Sequence, residues 1–116
     1  MTGVQTCALP ICPVVEAWHK GKNIGQAYID GGAQICVITH ACVEQLGLTI
    51  AGHFGFKIRM ANDQTVKCLG MVKNLEVEVF SVKALVNCHV MPADLGAFPI
   101  ILGRPWLRAV GAILQD

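Results

Sequence analysis

Residues 99–107 read Pro99-Ile100-Ile101-Leu102-Gly103-Arg104-Pro105-Trp106-Leu107. Three large aliphatic residues in a row, bounded by Pro99 and Gly103, make the short continuous run of a buried strand. Gly103 interrupts it. Pro105 suits the first turn of a helix, where a missing N–H costs nothing and φ is already near the helical value. The stretch therefore predicts a buried strand that passes directly into a final helix. Trp106, in the first turn of that helix, is expected to anchor the core and not to stack on a ligand.

Working back along the chain, Ala27-Tyr28-Ile29-Asp30-Gly31-Gly32-Ala33 places a carboxylate at the end of an apolar strand and follows it with two glycines. A backbone without Cβ atoms can approach a ligand or a second chain closely. An ordinary surface turn has the same composition, because Asp-Gly is common in turns. Taken alone, this segment leaves both readings open.

The surrounding sequence supplies the frame. Residues 13–19 are strand-like, Lys20-Gly21-Lys22-Asn23 reads as a turn, and Ile24 to Ile29 returns as a second strand, giving a hairpin that ends at Asp30. Ile35 to Ile38 is a short apolar strand. Thr39 is a good N-cap for a short helix ending near Gly47. Phe56 to Met60 forms another strand, and Asn62-Asp63-Gln64 a turn. Thr65 to Phe80 alternates for much of its length, with Leu75, Val77 and Val79 on one face and Glu76 and Glu78 on the other. Ala84, Val86, Cys88 and Val90 alternate likewise. Pro92 to Phe98 reads as a loop, and Ala112 to Gln115 as a last strand. Many short strands, two short helices and no βαβ rhythm predict one all-β domain.

Composition narrows the function classes. A length of 116 residues fits a single domain, and an apolar content of 53% suits a packed core. No apolar run reaches the roughly 18 residues of a membrane helix. A net charge of +1 gives no concentrated basic face for nucleic acid. Neither a membrane nor a nucleic-acid partner is therefore expected. The six cysteines include no CxxC pair and have no secretory context, so they are read as reduced thiols of an intracellular, cytoplasmic protein. Cys36 and Cys42 read as core positions, with a redox pair as the alternative. The spacing of His19, His40, His53 and His89 matches no zinc site, and neither a metal nor any other cofactor is expected. Residues 1–11, MTGVQTCALPI, have no basic n-region or continuous apolar core of a signal peptide. They resemble a translated sequencing adapter, which leaves residues 12–116 as the domain.

The order and separation of the Asp30-Gly31-Gly32-Ala33 and Leu102-Gly103-Arg104 segments resemble those of retropepsin-like aspartic proteases. The Leu-Gly-Arg-Pro-Trp-Leu-Arg run at residues 102–108 is similar to the protease domains of plant Ty3/gypsy-type retrotransposon polyproteins. The resemblance spans roughly residues 13–116. It implies a closed-barrel or sandwich acid-protease half with one or two short helices and a flap hairpin. Asp30 matches the catalytic aspartate, and Gly31, Gly32 and Ala33 its loop. Leu102, Gly103 and Arg104 match the supporting loop, whose arginine holds the active-site loop and the dimer. Phe56 to about Met71 matches the flap, with Met60, Ala61, Asn62, Asp63 and Gln64 at its substrate-binding tip. Gly111 to Gln115 resembles the strand after the last helix, and the family usually continues past the position of Asp116.

A single Asp-x-Gly loop implies a two-fold homodimer that brings Asp30 beside its copy, with a polypeptide as substrate. Asp94-Leu95-Gly96-Ala97 lies too close in sequence to be a second lobe and is read as a surface loop. The match departs at Gly31, where the family usually has Ser or Thr, whose hydroxyl bonds across the dimer. Lys57, Arg59 and Lys67 flank the flap turn and are read as a solvated strand face, with a bias on substrate charge as the alternative. The expected function is an aspartic endopeptidase acting on a retroelement polyprotein. An inactive dimerisation or peptide-binding module is the rival, and a non-functional retroelement fragment a third possibility.

Overall fold

The computed structural model describes residues 13–52, 57–59, 65–92 and 98–114. Strand β1 (Val14–His19) turns back into β2 (Lys22–Ile29) through Lys20 and Gly21, whose φ angles are 47° and 85°. Two successive positive φ values give the tight turn whose twist matches that of paired strands. β3 (Cys36–Thr39) is fully buried and leads into α1 (His40–Leu46). The Thr39 hydroxyl accepts a hydrogen bond from the Cys42 N–H at 3.2 Å, and Gly47 closes the helix in the left-handed conformation.

Two short antiparallel strands follow, β4 (Lys57–Arg59) and β5 (Thr65–Lys67). The long hairpin of β6 (Gly70–Val79) and β7 (Val82–Met91) comes next. Its turn residues, Phe80 and Ser81, both carry positive φ although neither is glycine. Leu75, Val77 and Val79 face inward with Ala84, Val86, Cys88 and Val90, as their alternation predicts. The chain closes with β8 (Ile100–Leu102) and α2 (Arg104–Leu114).

Six strands form a closed barrel in the order β1-β2-β8-β3-β7-β6, and β4-β5 is a separate ribbon. The domain is all-β with two short helices, in agreement with the sequence reading. The barrel interior holds Ala17, Ala27, Ile38, Leu75, Val77, Cys88, Val90, Ile100 and Leu102, and α1 and α2 cover it with Val43, Leu46 and Trp106. A smaller core of Val37, Ile58, Cys68 and Met91, flanked by Ile35, Val66 and Ile101, seats the β4-β5 ribbon on the barrel. Trp106 is 5% exposed and belongs to the main core, as expected of an anchor.

One segment divides and one expectation needs correction. The stretch from Thr65 to Phe80, which alternates for much of its length as expected, holds two strands, because Cys68 and Leu69 separate β5 from β6. Gly70, at φ 145°, lies so close to Ile50 and the Ala51 carbonyl that a Cβ would collide with both. The last strand expected at Ala112 to Gln115 is, through Leu114, the end of α2. Trp106, Ala109, Val110 and Ile113 fall at helical spacing, and Ala109 and Val110 pack on the core, so a four-residue apolar run was too short to set the period. Residues 1–11, the flap tip at Met60 to Gln64 and the Asp94-Leu95-Gly96-Ala97 loop lie outside the described residues.

Candidate active site

Strands β2 and β8 run parallel, pairing Ala27 with Ile100, Tyr28 with Ile101 and Ile29 with Leu102. Their C-terminal ends therefore emerge side by side, which joins two segments far apart in sequence. The Asp30 N–H donates to the Leu102 carbonyl at 2.9 Å. The Ala33 N–H donates to the Asp30 carbonyl at 3.1 Å and closes the loop. Arg104 then ties the loop from the other side. Its N–H donates to the Ala33 carbonyl at 2.9 Å, and its Nε–H to the Gly31 carbonyl at 3.1 Å.

Gly103 shows how close this approach is. A Cβ there would meet the Ala33 carbonyl oxygen at 2.7 Å and overlap the Ile35 carbonyl oxygen. The Gly103 N–H donates to Cys36 Sγ at 3.3 Å, so a buried thiol supports the strand-to-helix junction from below. Cys36 faces Cys88 across the parallel β3-β7 pair. A hydrogen bond from Cys88 pulls the Cys36 thiol down to about 7 against the effect of burial, with smaller help from the Gly103 and Trp106 backbones. Cys88 is raised in turn, first by that shared hydrogen bond and then by burial. Cys36, Cys42, Cys68 and Cys88 are all free and buried.

The Asp30 carboxylate is half-buried, and Gly31 and Gly32 are exposed. Asp30 Oδ1 accepts from the Gly32 N–H at 3.0 Å, which fixes the rotamer and leaves Oδ2 without a donor among the described residues. The carboxylate opens into a cleft of about 420 Å³. Gly32, Ala33, Ile35 and Ile101 line it on the barrel side, and Lys57, Ile58 and Arg59 on the ribbon side. Among the described residues β4 pairs only with β5, which leaves its other edge free of described strand partners. An oriented acid on a close-packed loop, facing an apolar cleft beside an open strand edge, can bind an extended chain and exchange protons with it.

The profile of a known family, described as "gag-polyprotein putative aspartyl protease", matches residues 18–109. The chain belongs to this family. The matched span includes the Asp30 loop and the Gly103-Arg104 junction, the two parts of the gag-polyprotein aspartyl protease domain that the barrel brings together.

Of the residues singled out in the sequence, Asp30, Gly31, Gly32, Ala33, Leu102, Gly103 and Arg104 converge at one end of the barrel. The flap-tip residues Met60, Ala61, Asn62, Asp63 and Gln64 lie outside the described residues, although both arms of the ribbon lie within them. The cleft positions of Ile35 and Ile101 and the contact of Cys36 with Gly103 escaped the sequence reading. Ile35 and Ile101 line the cleft because they alternate with the buried Cys36, Ile100 and Leu102, a parity visible only once the strand's inner face is known. Nothing local marks Cys36, since its place under Gly103 follows from the pairing of β3 with β8. Two of the histidines are engaged elsewhere: His19 bonds the Glu76 carbonyl at 2.9 Å, and His40 lies 3.7 Å from Glu44. Among the described residues no cluster of His, Cys, Asp or Glu could hold a metal, and no helix is long and apolar enough to cross a membrane.

Proposed function

We propose that this chain is one subunit of a homodimeric aspartic endopeptidase that hydrolyses peptide bonds of a retroelement polyprotein of the plant Ty3/gypsy type. The observation that carries this reading is the Asp30 carboxylate, held by the Gly32 N–H at the mouth of the cleft on a loop bonded to Leu102 and Arg104. Asp30 is the one acid that lines this cleft among the described residues, and the chemistry needs two. A two-fold axis beside the loop supplies the second as Asp30 of another copy.

Two carboxylates held close share one proton, because both cannot ionise readily. The ionised member takes a proton from a water molecule, which attacks the scissile carbonyl. The protonated member donates to the carbonyl oxygen, and the roles reverse as the amine leaves. The substrate lies extended along the open edge of β4, with its side chains over Ile35 and Ile101. Exposed apolar residues near the loop support self-association: Leu107 is 38% exposed and its Cδ1 lies 3.9 Å from where a Gly31 Cβ would be. Ile113 and Leu114, further along α2, are 47% and 66% exposed. The free thiols are consistent with a reducing, intracellular setting.

The test is peptide cleavage at mildly acidic pH by wild type and Asp30→Asn, with and without pepstatin. Cleavage that survives Asp30→Asn would sink the assignment. Gly31 favours one rival, a dimerising or peptide-binding module without catalysis, because the position lacks the hydroxyl that would brace the loop across the dimer. A folded dimer that binds peptides and never cleaves them would support that rival.

A further inference from the structure

The β4-β5 ribbon separates its charged side chains from its apolar ones. Lys57 stands opposite Lys67, Ile58 opposite Val66, and Arg59 opposite Thr65. Directly paired residues share a face. Ile58 and Val66 turn to the small core of Val37, Cys68 and Met91, so Lys57, Lys67 and Arg59 share the other face and are exposed. Residues 57–67 contain these three cations and a single carboxylate, Asp63. Two lysines placed directly opposite each other repel. Lys57 has no ion-pair partner among the described residues, and it lines the same cleft as Asp30.

We infer that Lys57, with Lys67 beside it and Arg59 along the strand, selects substrates that carry an acidic side chain, Asp or Glu, next to the scissile bond. The inference rests on the protease reading above and names the substrate class of that site. A peptide strand added to the edge of β4 brings alternate side chains to the level of Lys57 and Arg59. A carboxylate there converts the Lys57–Lys67 repulsion into attraction for both ammonium groups. A neutral side chain leaves the repulsion in place, and a lysine adds to it. The cations are exposed, so the preference is modest and sensitive to salt.

The test uses matched peptides that differ only by Glu, Gln or Lys, scanned through the positions flanking the cleavage site. Wild type is expected to favour Glu over Gln by about 2- to 5-fold in kcat/KM at one position at low salt. Raising the salt should shrink the preference, Lys57→Ala should flatten it, and Lys57→Glu should turn it toward Lys. Equal cleavage of the Glu and Gln peptides at every position, or a preference unchanged in Lys57→Glu, overturns the inference. Binding of the same peptides to the Asp30→Asn protein, read by fluorescence anisotropy, separates this from the fate of the protease reading. Preferential binding of Glu peptides without cleavage by wild type would keep the charge selection and remove catalysis. Binding without preference overturns the selection alone. Failure to bind or cleave any peptide overturns both, and tighter binding of a short single-stranded RNA than of the Glu peptide would reassign the cations to nucleic acid.

Discussion

Gly103 and Gly31 are glycines for opposite reasons. At Gly103 the Ala33 and Ile35 carbonyls occupy the space of any side chain, so Gly103→Ala should cost about 1–3 kcal/mol in urea unfolding and loosen the Asp30 loop. At Gly31 the atom nearest to an added methyl would be Leu107 Cδ1 at 3.9 Å, so a serine fits. Gly31→Ser should stabilise the chain by about 0.4–1 kcal/mol through the unfolded state alone. In the proposed dimer it should also lower the dissociation constant measured by sedimentation. Asp30→Asn keeps the shape of the side chain and its bond from Gly32, so the melting temperature should hold while turnover falls about 100- to 10,000-fold. Asp30 was legible as an acid at a strand end, and Gly103 as a break between strand and helix. The carbonyl cage around Gly103 was not legible, because it exists only when β8 lies between β2 and β3.

At the scale of elements, alternation and turn chemistry carried most of the information. Leu75, Val77 and Val79 announced the inner face of β6, and Thr39 with Gly47 announced both ends of α1. Local patterns misled where a tertiary contact overrode them. The break at Cys68 and Leu69 depends on Gly70 passing close to Ala51, which bridges to Met71. The end of α2 was mistaken because Ala112, Ile113 and Leu114 are exposed apolar residues, and a short apolar run carries no period of its own. The β6-β7 turn leads to a separate expectation. Phe80 and Ser81 hold positive φ at 51° and 67°, and Phe80 is 82% exposed, so its ring gains little in return. Replacing the pair by Asn and Gly removes backbone strain, and the double variant should be about 1 kcal/mol more stable in urea unfolding.

At the scale of the whole molecule, the barrel delivers half of the proposed site, and in the proposed dimer the second half comes from another copy. Activity per subunit should therefore fall on dilution, in step with the dimer fraction measured by sedimentation. The pH profile of kcat/KM should be bell-shaped, because the dyad is idle when both acids are protonated and when both are ionised. The barrel order was not legible from periodicity, since β8 lies between strands whose sequence neighbours lie elsewhere. The resemblance of the Asp30 and Gly103-Arg104 segments pointed to one part of it, the packing of β8 beside the end of β2. That order also governs when the protein becomes competent. The bond from Arg104 to Gly31 spans 73 residues, and β2 can bond to β8 only after both strands exist. A chain emerging from the ribosome meets this closure last, after most of the domain has been made, and contacts of such long range form slowly. The Asp30 loop thus stays unbraced until α2 begins, so under the proposed function a nascent polyprotein would be spared premature cutting by its own unfinished protease.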